Sequence, residues 1–144
     1  LAGGGGTWPA IWMLGSNIST VGWPKCGEMD IMEYVGNNPG TVQSAIHTPS
    51  SSGNTVNVKS SPITNETSEF HVYSVIWSGD QISFLIDDER FYTYKPETLD
   101  QSTWPFDASQ FLILNVAMGG NLGGSIDPDF SESVMEIDYV RVYQ

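Results

Sequence analysis

The stretch Gly27-Glu28-Met29-Asp30-Ile31-Met32-Glu33-Tyr34-Val35-Gly36 decides how the chain is read. Side chains of a regular strand alternate between faces, so Glu28 and Asp30 share one face while Met29 and Ile31 point to the other. Glu33 lies five positions from Glu28, and an unbroken strand would turn it into the buried face. One extra residue between Asp30 and Glu33, a β-bulge, returns it to the side of the other two carboxyls. The spacing predicts a bulged strand anchored by Met29 and Ile31, with Glu28, Asp30 and Glu33 along its other surface.

The surrounding sequence supports strands rather than helices. Segments of high β-propensity are short and separated by turn clusters, and no convincing amphipathic helix is present. Strands are predicted over Trp8–Leu14, Glu28–Tyr34, Val42–Thr48, Glu69–Ser78, Gln81–Asp87, Arg90–Tyr94, Phe111–Met118 and Val134–Tyr143. Asn37-Asn38-Pro39-Gly40, a Ser/Thr/Asn-rich stretch over 49–67, and Gly119-Gly120-Asn121-Leu122-Gly123-Gly124 punctuate them. Ser78-Gly79 and Asp87-Asp88 fall where tight hairpin turns belong. This pattern predicts an all-β sandwich or jelly roll forming one domain over 1–144. Phe111–Met118 is nearly continuous in apolar residues, as a strand covered on both faces would be. Asn115 interrupts it, and a buried amide needs partners. It either bonds a neighbouring loop or points into a cleft.

Composition narrows the ligand. Among 144 residues, 17 acidic and 5 basic side chains leave a formal charge of −12. Nucleic acid or an anionic membrane surface would be repelled, since both need clustered Lys and Arg. Charged residues are 15% of the chain and aromatics 12%, a balance that suits a neutral ligand stacking on rings. The single cysteine, Cys26, excludes an internal disulfide framework and a Cys-based zinc site. No apolar run approaches the roughly 18–20 residues of a membrane-spanning helix. The opening Leu1-Ala2-Gly3-Gly4-Gly5-Gly6 has neither Met nor a basic region, and it reads as the middle of something longer.

Three carboxyls on one strand repel each other and ask for a reason. They could be a solvated sheet face. They could bind calcium, although such sites usually draw their oxygens from a loop. They could also be a glycosidase pair, in which one carboxylate attacks the anomeric carbon and a second protonates the leaving oxygen. Negative neighbours raise the pKa of an acid that must keep its proton, and Asp30 fits as the residue that tunes the pair. Trp8, Ala10, Trp12 and Leu14 share one face by period two, while Trp23 and Trp104 sit in turn-like, Pro-containing surroundings. Large rings with an N–H handle suit the apolar faces of sugars. Core packing is the plain alternative for Trp8 and Trp12, whereas Trp23 and Trp104 are expected to be exposed and binding. His47 shares its strand face with Gln43 and Ala45, either as a structural residue or as a partner of a catalytic acid. His71 is read as structural.

Taken together, Trp8-Pro9-Ala10-Ile11-Trp12-Met13-Leu14-Gly15, Gly22-Trp23-Pro24 and the Glu28–Glu33 motif resemble the bacterial laminarinases of glycoside hydrolase family 16. Ser44-Ala45-Ile46-His47-Thr48, Leu114-Asn115-Val116-Ala117-Met118-Gly119-Gly120 and Ile137-Asp138-Tyr139-Val140-Arg141-Val142-Tyr143 match the same pattern, in order along the whole chain. The resemblance implies a concanavalin A-like jelly roll of two antiparallel sheets, with a substrate cleft across the concave one. It implies a secreted or cell-surface retaining endo-glycosidase acting on β-1,3-glucan such as laminarin, with no catalytic cofactor. Galactan-cleaving hydrolases, transglycosylases and silent carbohydrate-binding proteins on the same fold are the alternatives. By the resemblance Glu28 is the nucleophile, Asp30 its assistant and Glu33 the general acid/base. Trp23, Trp8, Trp12, His47 and Asn115 fall at positions resembling cleft residues. Asp138 matches a ligand position of a structural calcium.

The resemblance also implies about a hundred further residues before the Trp8-Pro9 strand. These 144 residues are then the C-terminal part of the fold, and exposed apolar faces or unpaired edges are expected where an N-terminal segment would pack.

Overall fold

A computed structural model describes residues 1–144. Eight strands run in chain order: β1 (Thr7–Gly15), β2 (Glu28–Tyr34), β3 (Thr41–His47), β4 (Val58–Pro62), β5 (Tyr73–Trp77), β6 (Ile82–Ile86), β7 (Glu89–Tyr94) and β8 (Gln110–Met118). Two single-turn helices, α1 (Ile18–Val21) and α2 (Gly120–Gly123), complete the regular structure. The strands form two antiparallel sheets, one ordered β4-β3-β2-β1-β8 and the other β5-β6-β7. The chain is thus an all-β sandwich, as its sequence pattern predicts.

The core lies between the sheets. Met29, Ile31 and Ile46 from the five-stranded sheet meet Ile82, Phe84 and Tyr94 from the three-stranded one, with Trp104 and Phe106 closing the cluster from the loop before β8. Phe84 and Phe106 are fully buried, and burial of such a side chain contributes about 1.5–3 kcal/mol. A second cluster of Met32, Tyr34, Val42 and Ile63 fills the far end of β2 and β3. The β6–β7 hairpin turns on Asp87 and Asp88 with φ of 50° and 69°, the left-handed pair a two-residue connection needs to match strand twist.

Three sequence expectations are corrected. β4 lies inside the polar stretch over 49–67, where no strand is predicted; its Val58-Lys59-Ser60-Ser61-Pro62 run is an exposed edge paired to β3. Lys and Pro are residues that edges carry, so no apolar alternation marks it. Val134–Tyr143 forms no strand at all. No neighbouring strand accepts its backbone, and Val134, Ile137, Val140, Val142 and Tyr143 are exposed. β-Propensity without a partner does not make a ladder. β8 is an edge strand rather than one covered on both faces, and Leu114, Val116 and Met118 along one of its faces are 37–40% exposed.

Candidate active site

The predicted bulge is present in β2. Against β1, Trp12 pairs with Asp30 but Ile11 pairs with Met32 and Ala10 with Glu33. Against β3, Asp30 pairs with Ala45 and Glu33 with Gln43, so three steps on β2 match two on β3. Ile31 is the extra residue. Its side chain still reaches the core, and its carbonyl accepts the buried Ser44 hydroxyl at 2.7 Å. The slip therefore leaves no orphaned acceptor at Ile31, and it returns Glu33 to the face of Glu28 and Asp30. At the strand's start, Gly27 has φ of 76° and sits so close to Phe106 that a Cβ would approach that ring within 2.8 Å. Only glycine fits there.

A row of N–H groups faces the carboxyls. Trp23 donates its indole N–H to Glu28 Oε2 at 2.8 Å. Trp8 donates to Glu33 Oε1 at 3.1 Å, and the Gln43 amide donates to Glu33 Oε2 at 3.0 Å. His47 Nε2 lies 3.1 Å from Asp30 Oδ2 and 3.7 Å from Glu28 Oε1. The first of these is a close contact that becomes an ion pair when His47 is protonated. Beyond them, Trp12 donates its indole N–H to Asn115 Oδ1 at 2.8 Å, joining β1 to β8. Asn115 thus bonds the neighbouring strand and not a loop.

Burial dominates the electrostatics. It pushes Glu28 up to about 7, helped by Asp30 and opposed by His47 and the Trp23 N–H. Asp30, more deeply buried, is pushed up to about 6 against the pull of His47. Glu33 is raised by burial too, with the Gln43 and Trp8 donors working the other way. For His47 burial favours the neutral ring, but Asp30, Glu28 and Glu33 outweigh it and the net shift is upward. All four groups are thus shifted toward their protonated forms, and Glu28, at about 7, is poised near neutrality where acid/base work is done.

Of the residues singled out in the sequence, Glu28, Asp30, Glu33, Trp8, Trp12, Trp23, His47 and Asn115 are all on or beside β1, β2, β3 and β8, joined by the contacts above. Trp104 is a correction. It is 5% exposed, stacked on Tyr94 with ring centroids 6.3 Å apart and edge-on to Phe106, with its N–H given to Asp107. The Trp-Pro turn that suggested exposure folds the indole inward to close the core. Asp138 lies in the unpaired C-terminal segment. The one group of three metal-ligating side chains is Glu28, Asp30 and His47, and a lone carboxylate falls short of the roughly 6–8 oxygens calcium takes. Gln43 is the residue that sequence reasoning missed as a site residue. Its signal was its place on the His47 face of β3. A hollow of about 440 Å³ lined by Ser50, Asn57, Tyr92, Lys95 and Thr103 lies apart from the acidic row and holds none of it.

Comparison with known proteins identifies the family. The family model for glycosyl hydrolases family 16 matches residues 1–141. A beta-glucanase of Rhodothermus marinus is 40% identical over all of this chain and 54% of its own length. A keratan-sulfate endo-1,4-beta-galactosidase of Sphingobacterium multivorum is 38% identical over 98% of this chain and 34% of its own. Among solved structures, the laminarinase from Flavobacterium sp. UMI-01 superposes with a TM-score of 0.86 at 47% identity, covering 88% of this chain and 56% of that one. The chain thus spans about half the length of such relatives or less. A motif of three carboxyls on a bulged strand and a family match across nearly the whole sequence lead to one assignment: this chain belongs to glycoside hydrolase family 16.

Proposed function

We propose that the chain carries the catalytic carboxyls of a retaining endo-glycosidase acting on β-1,3-glucan such as laminarin. The observation that carries this reading is the β2 bulge, which puts Glu28, Asp30 and Glu33 on one face beside three tryptophans. In the first step, the Glu28 carboxylate attacks the anomeric carbon as Glu33 passes its proton to the departing glycosidic oxygen. In the second step, Glu33 takes a proton from water, whose oxygen displaces Glu28 and releases the sugar. At Glu28 the Trp23 N–H and His47 favour the ionised form that attacks, against the burial and the Asp30 charge that push it up to about 7. Glu33 suits the acid role because it is the more buried of the two. The test is reducing-sugar release from laminarin by the parent and by Glu28→Ser. Loss in the variant is expected, and equal release from both would end the nucleophile assignment.

A galactan-directed activity is the second reading, favoured by the 38% identity to an endo-1,4-beta-galactosidase. Release from a β-1,4-galactan but not from laminarin would select it. Laminarin binding without turnover by the parent would select a silent binding protein. We further propose a secreted or cell-surface location, as an extracellular polysaccharide would require. The partner proposed for the exposed face of β8 is a further polypeptide segment, of the kind that fills the rest of the relatives' length. The free β8 edge and the exposed Leu114, Val116 and Met118 support this. Calcium at Asp138 would then need oxygens from that segment as well.

A further inference from the structure

The two oxygens of Glu33 are each claimed by a different flanking strand. Trp8 on β1 takes Oε1 and Gln43 on β3 takes Oε2, at 3.1 and 3.0 Å. Gln43 makes no other side-chain hydrogen bond and belongs to neither core cluster. Its place directly across from Glu33 exists only because the bulge shifts the β2–β3 register by one. Without Ile31 as the extra residue, the amide would face an apolar side chain.

We propose that Gln43 is a positioning residue for Glu33: its amide N–H fixes the direction of that carboxyl and weights it toward the ionised form that must accept a proton from water. The inference rests on the acid/base role given to Glu33 above. The chemistry is specific to a donor. An N–H can bond a carboxylate oxygen or the carbonyl oxygen of a carboxylic acid, but the bond to the charged form is stronger. With one donor on each oxygen, the proton that Glu33 carries in the first step takes a lone pair that neither N–H occupies. A single donor would leave the carboxyl free to turn about its last bond. The ionisable groups that act on Glu33 are Glu28 and Asp30 on its own strand and His47 on β3, while β1 brings the neutral Trp8. Gln43 is therefore the one neutral donor on Glu33 that does not also offer a ring to a sugar.

The test uses the whole chain with 13C-labelled glutamate, following the Glu33 carboxyl by NMR titration and assigning its signal with Glu33→Gln. Gln43→Met keeps the length of the side chain and removes the donor, so the Glu33 midpoint is expected to rise by roughly one unit. Gln43→Lys supplies a charged donor and is expected to lower it. In laminarin hydrolysis the alkaline limb of the pH–rate profile moves the same way, with kcat falling in Gln43→Met and KM little changed. If both variants leave the Glu33 midpoint where the parent has it, the inference is overturned. If the midpoint moves as described but no form of the chain releases sugar, the positioning of Glu33 stands and the hydrolase reading fails. Release by all forms with an unmoved midpoint does the reverse.

Discussion

Trp23 donates its indole N–H to Glu28 Oε2 at 2.8 Å while its ring stands 6.0 Å from that of His47, tilted by 47°. A residue read from sequence as a stacking platform thus also holds the proposed nucleophile. The two roles separate by substitution. Trp23→Phe keeps a ring but removes the donor that favours ionised Glu28, so the acid limb of kcat/KM should move to higher pH. The expected loss at neutral pH is a few-fold to tenfold, in line with about 0.5–1.5 kcal/mol for an exposed hydrogen bond. Trp23→Ala should add a rise in KM. Steady-state kinetics across pH, run on both variants, separates the effects.

Asp30 and His47 form a buried pair at 3.1 Å, and breaking one side leaves the other without its counter-charge. Removing one partner of such a pair is costly, whereas replacing both is often mild. His47→Ala and Asp30→Asn should each destabilise the chain, and the double variant should lose less than the sum. A coupling of about 0.5–3 kcal/mol is expected from urea unfolding of the four proteins in a double-mutant cycle. Strict additivity would mean that the two side chains are close but independent.

The bulge, the acidic face and the sandwich were legible because each rests on local rules. Period-two alternation places Met29 inward and Asp30 outward, and the spacing to Glu33 requires one extra residue. Asp87-Asp88 announced its turn in the same way. What stayed hidden depends on neighbours distant in sequence. Trp104 is buried because Tyr94 and Phe106 wait for it, and nothing in Thr103-Trp104-Pro105 says so. β4 is a strand because β3 offers an edge, whereas Val134–Tyr143 has the better propensity and no edge to join. Gln43 stood on the correct face, but only the register across the bulge puts its amide on Glu33.

The acidic site should make stability depend on pH in a defined direction. Glu28 is pushed up to about 7 and Asp30 to about 6 in the folded chain, from ordinary values near 4.5 and 3.8. The folded state therefore binds more protons than the unfolded one between those limits, and stability falls as pH rises. His47, also shifted upward, acts with the same sign. The stabilisation from these groups is full below about pH 4 and is lost as pH passes through 6 and 7. For Glu28 alone the loss is on the order of 2–3 kcal/mol. Urea midpoints at pH 5 and 8 should differ in the parent and differ less in Glu28→Gln, where Asp30 and His47 carry the remaining dependence, whereas a surface-charge effect would leave the difference unchanged.

Two tryptophans in similar Trp-Pro contexts should respond to truncation in opposite ways. Trp104 is 5% exposed and Trp23 is 46% exposed. Truncating Trp104 opens a void beside Tyr94 and Phe106 in the core cluster, so Trp104→Ala should cost about 3–5 kcal/mol of stability. Trp23 lies in the turn before β2, and Trp23→Ala removes an exposed ring and one hydrogen bond to Glu28. Its effect on unfolding should stay below about 1 kcal/mol, while its effect on laminarin binding should be the larger of the two. Denaturant unfolding and laminarin affinity measured on both variants give a crossed pattern. A loss of laminarin affinity in Trp104→Ala, with its stability unchanged, would return that residue to the binding face where its sequence context first placed it.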